Sequence, residues 1–104
     1  MDLEKYAKEI DQYRYSHLKP LAKEVSYNLI GLAEEVGEVQ AIFKRAIFRN
    51  EELDLDHLQE EIGDVFYYLI AISNLMKLNP NQILEKNLEK LESRYNHLKE
   101  GEKK

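Results

Sequence analysis

The sequence predicts an all-α protein, a four-helix bundle-like protomer with two long central helices that assembles into a homo-oligomer. Three observations carry this reading. Apolar residues step by three or four through two long segments, the spacing of a helix face. No stretch alternates apolar and polar residues as a half-buried strand does. Helix breakers are scarce, with 4 glycines and 2 prolines in 104 residues.

The first helix is expected from Asp2 to about Ser16, with Tyr6, Ile10 and Tyr13 on one side. Pro20 suits the first turn of the second helix, which runs to about Phe48 with Leu29, Leu32, Val36, Val39, Phe43 and Ala46 as its apolar stripe. Arg49-Asn50-Glu51-Glu52 is a polar loop. Asp54 is placed to cap the third helix, with Leu53 and Leu58 forming a hydrophobic staple across it. That helix carries Leu58, Ile62, Val65, Leu69, Ile72 and Met76. Asn79-Pro80 stops it and opens the fourth, with Asn79 as cap, Pro80 at the first position and Gln82 completing the box. The fourth helix is expected to reach about Lys99 and to fray at Gly101. A second helix of about 27 residues is about 40 Å long, whereas a compact chain of this size has a radius of gyration near 13 Å. Such a helix overhangs one protomer, and this is why an oligomer is expected.

At 104 residues the chain reads as a single domain, 43% hydrophobic and 34% charged, and globular rather than disordered,. It has no cysteine, which excludes disulfides, thiolate metal sites and a cysteine nucleophile,. Its longest uncharged run, Val65 to Met76, is too short to span a bilayer. The N-terminal residues lack the pattern of a signal peptide, so a soluble, cytoplasmic protein without membrane partners is expected. A net charge of −5 with no dominant basic stripe argues against a nucleic acid polymer as partner,. It leaves room for a small anion, because carboxylates that hold a metal ion turn an acidic groove into a phosphate receptor.

The chemistry lies in a hexapeptide that occurs twice, Glu34-Glu35-Val36-Gly37-Glu38-Val39 and Glu60-Glu61-Ile62-Gly63-Asp64-Val65. Each copy puts a glycine inside a helix, at a cost of about 1 kcal/mol relative to alanine. Each also sets two carboxylates three residues apart, where they repel. On helices, Gly31, Glu35, Glu38, Ile42 and Arg45 share one line, and His57, Glu61, Asp64, Tyr68 and Ile72 share another. Both lines border the apolar stripes, so the four acids Glu35, Glu38, Glu61 and Asp64 face the interior or its edge and need a compensating cation. Mg²⁺, with Mn²⁺ as a substitute, is the expected ligand because it takes oxygen donors. Gly37 and Gly63 clear space beside it for a helix or a ligand. A redox di-iron bundle instead needs Glu-x-x-His pairs. His17, His57 and His97 follow Arg14, Asp54 and Arg94 at that spacing, so they read as surface or packing residues.

At these residues the chain resembles the MazG-like nucleoside triphosphate pyrophosphohydrolases of the all-α NTP pyrophosphatase superfamily. That family pairs Glu-Glu-x-x-Glu with a later Glu-x-x-Asp, seen here as Glu34-Glu35-Val36-Gly37-Glu38 and Glu61-Ile62-Gly63-Asp64. The lead-in Asn28-Leu29-Ile30-Gly31-Leu32-Ala33 and the tail Lys90-Leu91-Glu92-Ser93-Arg94-Tyr95 are also similar, and the likeness covers about residues 25 to 95. The resemblance implies that Glu35, Glu38, Glu61 and Asp64 bind Mg²⁺. It further implies hydrolysis of a (d)NTP to (d)NMP and pyrophosphate, by a dimer or tetramer, in house-cleaning of non-standard or excess nucleotides.

Glu38 and Glu34 are the catalytic candidates, Glu34 as base or supporting residue although it is turned about 100° from Glu35. Substrate-binding candidates are Asn28 in the lead-in, Tyr68 for the sugar or base, and Asn87 beside the line Lys86, Lys90 and Arg94 on the fourth helix. That basic line either holds outer phosphates or forms a surface salt-bridge stripe with Glu85, Glu89 and Glu92. Two alternatives stand beside the main one: the related phosphoribosyl-ATP pyrophosphatases, and a non-catalytic helical dimerisation module.

Overall fold

The computed structural model describes residues 1–14 and 18–102. Its helices are α1 (Leu3–Ile10), α2 (Leu21–Phe48), α3 (Leu55–Leu75) and α4 (Pro80–Glu102), with a 3₁₀ turn at Asp11–Tyr13 after α1. The all-helical expectation holds for the described residues. Local chemistry sets each boundary. Asp2 caps α1 by accepting from the Lys5 amide at 2.8 Å, and Asp54 caps α3 by accepting from His57 N at 3.0 Å,. Asn79 caps α4, its Oδ1 accepting from Asn81 N at 2.8 Å. Pro20 stands just outside α2 as its N-cap rather than inside the first turn.

Helix ends are equally specific. After α2, Asn50 takes the left-handed conformation at φ 56°, which asparagine tolerates better than most residues,. After α3, Lys77 does the same at φ 55°. Leu78 N then donates to Ser73 O at 2.9 Å, closing a Schellman turn,. The buried Ser73 hydroxyl donates to Leu78 O at 3.1 Å and fastens that turn from inside.

α2 and α3 form a long antiparallel hairpin, while α1 lies across α3 and meets α4. The buried core is small: Ala7 and Ile10 of α1 against Ile70 and Ala71 of α3, with Leu3, Tyr6 and Tyr67 packed around them. Asn74 Nδ2 donates to Ala7 O at 2.9 Å and pins the two helices together. Burial of this apolar surface, at roughly 25 cal/mol per Å², is what holds α1 in place.

Several expectations are corrected here. The first helix yields to a 3₁₀ turn at Asp11, well before Ser16, which lies outside the described residues. Asp11 bonds forward to Arg14 through both its carbonyl (3.3 Å) and its side chain (2.9 Å), the local competition that ends helices at Asp,. Tyr13 therefore leaves the apolar side and is exposed, although its carbonyl accepts from the Tyr67 hydroxyl. α2, by contrast, is the single long helix that was expected, 28 residues ending at Phe48. The protomer is not a closed four-helix bundle, because α4 packs on α1 near the start of the helix and otherwise projects. It also continues through Gly101 to Glu102, past the expected end at Lys99.

The face of α2 turned to α3 is the second surprise. Its buried residues are Glu24, Asn28, Gly31 and Ile42, so the polar line packs inward. Leu29, Val36 and Phe43 of the expected stripe are 49%, 42% and 40% exposed. Gly31 explains why: the Tyr68 ring lies directly on its backbone, where any Cβ would overlap it. Gly37 and Gly63 were expected to allow close helix approach or to leave room for a ligand; a Cβ at either meets nothing within 4 Å among the described residues, so neither serves close approach. Gly31→Ala should therefore destabilise the fold, overpacking costing on the order of 1–3 kcal/mol against a helix gain of about 1 kcal/mol. Gly37→Ala should stabilise it by about 0.5–1 kcal/mol. Urea melts of the two variants read this directly, and a Gly31→Ala protein as stable as Gly37→Ala would contradict the packing.

Candidate functional site

Two helices bring the carboxylates together. Glu35 of α2 and Glu61 and Asp64 of α3 each offer an oxygen, and these three oxygens lie within 4.8 Å of one another. Glu35 and Glu61 are half-buried between the helices, and Asp64 is exposed at the edge. The antiparallel pairing sets them at one level, and the Gly31–Tyr68 contact one turn away fixes the register.

The electrostatics are those of a crowded acid site. The Glu35 carboxyl lies against that of Glu61, close enough for the two to share a proton; this, then burial, then the charges of Glu61, Asp64 and Glu38 push its pKa up to about 7,. Glu61 Oε1 is 3.2 Å from His57 Nε2, one turn earlier on α3. Its other oxygen, Oε2, is buried without a hydrogen-bond partner. An orphaned carboxylate oxygen between two more carboxylates is what a hard divalent cation satisfies. The residues present therefore fit a hard divalent cation, which Glu35, Glu61 and Asp64 could hold,.

The other expected site residues fall in three groups. Glu38, one turn along α2, acts on Glu35 through its charge, but its carboxylate is exposed and outside the group of three. Glu34 is exposed on α2 and raises the pKa of Tyr68 together with Glu35, both after burial and Tyr27. Tyr68 is half-buried at the site, set edge-on to Tyr67 with ring centroids 5.1 Å apart. Asn28 is only 2% exposed and donates to Glu24 O at 2.8 Å, so it sits in the wall of the hairpin. Lys86, Asn87, Lys90 and Arg94 are exposed on α4, which the fold does not lay along α2 or α3.

Two features escaped the sequence. His57, expected to be a surface or packing residue and not a ligand, lies 3.2 Å from a carboxylate oxygen of the cluster, a contact that the i, i+4 spacing from His57 to Glu61 could have signalled,. Glu24 is 5% exposed and lies 3.0 Å from Arg14 Nε, across a connection whose geometry no local pattern encodes. Removing Arg14 would leave that charge buried and unpaired.

Residues 23–99 match the family model of the MazG nucleotide pyrophosphohydrolase domain. The chain belongs to the MazG family. The matched span holds both acidic stretches, Tyr68 and the basic line of α4, and it leaves out α1. MazG membership agrees with the resemblance read from the paired motifs and makes this a domain of a nucleotide pyrophosphohydrolase family. The chain is also similar to the Gene 37 protein of Mycobacterium phage L5, with 31% identity over 74 residues, 67% of this chain and 65% of that protein. It thus spans somewhat under two thirds of that relative's length. No solved structure matches the chain. Among the described residues, no helix is long and apolar enough to cross a membrane.

Proposed function

We propose that this MazG domain hydrolyses nucleoside triphosphates to the monophosphate and pyrophosphate in a Mg²⁺-dependent reaction, removing non-standard or excess (d)NTPs. The observation that carries this reading is the convergence of Glu35, Glu61 and Asp64 with an unpartnered oxygen of Glu61. Glu35, Glu61 and Asp64 hold the cation, and Glu38 completes the ligand set from the next turn of α2. Bound there, Mg²⁺ neutralises phosphate oxygens and lowers the pKa of a water. Glu34, at the exposed rim, is the base candidate that takes a proton from the attacking water. Tyr68 bounds the site beside Glu35 and meets the sugar, while Asn28 shapes the wall beneath.

Lys86, Asn87, Lys90 and Arg94 meet the outer phosphates when a second copy supplies its α4. The shape of the chain supports that assembly. Its radius of gyration is 17.7 Å, against about 13 Å for a compact chain of about 100 residues. On α4, Leu84, Leu88, Leu91, Tyr95 and Leu98 are half or more exposed and follow alternating steps of four and three, the seam of paired helices,. The working form is then a homodimer or homotetramer.

Incubation with a panel of NTPs, dNTPs and phosphoribosyl-ATP, with Mg²⁺ or EDTA, tests the reading through pyrophosphate release. Turnover of (d)NTPs that EDTA abolishes is expected. Exclusive turnover of phosphoribosyl-ATP, or no turnover at all, would replace the reading with one of its two alternatives.

A further inference from the structure

Next to Asp64 in the chain, the start of α1 and the middle of α3 flank an open notch of about 360 Å³. Its walls are Leu3, Tyr6 and Phe66, and its floor is the bare backbone of Gly63. Among the described residues nothing lies within 4 Å of where a Gly63 Cβ would stand, so the floor is open to a ligand. We infer that this notch is the nucleobase subsite, an inference that rests on the pyrophosphohydrolase reading above.

Four observations support that occupant. Gly63 directly precedes Asp64, with Cα atoms about 3.8 Å apart, so the notch and the carboxylate cluster share an edge within the span of one nucleotide. Tyr6 both lines the notch and packs on the α1–α3 core, so the notch wall is fixed to α3, the helix that carries Glu61 and Asp64. The volume lies within the range of roughly 300–1,000 Å³ typical of small-molecule sites. Two aromatic rings beside a glycine floor suit a flat heterocycle, because every base offers a face for stacking.

The same walls set the selectivity. Asp2, at the rim, is already engaged as the α1 cap. The remaining side chains offer one polar group, the Tyr6 hydroxyl, and otherwise meet the ring by its faces, so purines and pyrimidines are accepted alike,. α1 lies outside the matched family span, so this half of the subsite belongs to this chain's own N-terminal segment.

Gly63→Val puts a branched side chain into the notch where a Cβ meets no neighbour among the described residues, and Phe66→Ala removes a wall. Binding of a non-hydrolysable α,β-methylene nucleoside triphosphate and of inorganic tripolyphosphate, each with Mg²⁺, is measured by calorimetry for both variants and wild type. Each variant should weaken the nucleotide analogue on the order of tenfold and leave tripolyphosphate within about twofold. Wild type should bind purine and pyrimidine analogues within about tenfold of each other. Unchanged analogue binding in both variants, or equal loss for both ligands, would overturn the subsite while leaving the hydrolase reading standing. A changed oligomeric mass with unchanged analogue affinity would assign the notch to a partner chain instead. Wild type that binds neither ligand would remove the hydrolase reading itself, and the subsite with it.

Discussion

Replacing Glu61 with Gln is expected to lower pyrophosphate release at least about a hundredfold while leaving the protein folded and no less stable without metal. Glu61 is the hinge of the cluster: its carboxyl lies against that of Glu35, its Oε1 is 3.2 Å from His57 Nε2, and its buried Oε2 has no hydrogen-bond partner among the described residues. Glutamine keeps an acceptor for His57 but removes the charge a cation needs. Loss of groups that merely support a metal ligand costs 10–100-fold in affinity or activity, so loss of a ligand should cost no less. Stability should move the other way, since one charge is withdrawn from a set of carboxylates that repel each other. Circular dichroism, a thermal melt and the pyrophosphate assay on one preparation check both halves. A variant that retains more than about a tenth of wild-type turnover, or melts far below it, would show that Glu61 serves packing and not catalysis.

The second large effect is on stability against pH. Glu35 has its pKa raised from 4.5 to about 7, first by the hydrogen bond with Glu61, then by desolvation and the surrounding negative charge. Between those two values the folded chain holds a proton that the unfolded chain has released. Stability of the metal-free protein therefore falls as pH rises from about 4.5 to about 7, and it levels off above. Mg²⁺ competes with that proton. Its stabilising effect should be small at pH 5 and full at pH 8, where a concentration of 100 times Kd corresponds to about 2.7 kcal/mol, several degrees in Tm for a domain of this size. Melting curves at the two pH values, with Mg²⁺ and with EDTA, measure this. A Mg²⁺ shift equal at both pH values would mean that Glu35 is not a ligand.

Much of this molecule can be read from the chain because its punctuation is local. Asp54, Asn79 and Pro80 cap and start helices through bonds to residues two or three positions away,, and the two acidic lines follow from helical period alone. The rest depends on how helices meet. Gly31 and Tyr68 are far apart in sequence, and only the α2–α3 register reveals that one exists to receive the other. The apolar stripe of α2 is plain as a period, yet the face buried against α3 is the polar one. Period tells which residues share a face and not what that face meets. Glu24 and Arg14 illustrate the same limit, because a partly buried ion pair between residues ten positions apart has no short-range signature. Where local rules are broken in a set, as with glycines and like charges in both hexapeptides, the break marks the site.

The claim beneath all of this is that the two hexapeptides build one divalent-cation site. Crystals grown with millimolar Mn²⁺, examined by anomalous scattering at the manganese edge, test it most directly. The account predicts a peak bounded by Glu35, Glu61 and Asp64, with carboxylate oxygens at about 2.0–2.3 Å as for small divalent ions. Crystals with no peak between those carboxylates, or with manganese bound only elsewhere, would contradict it.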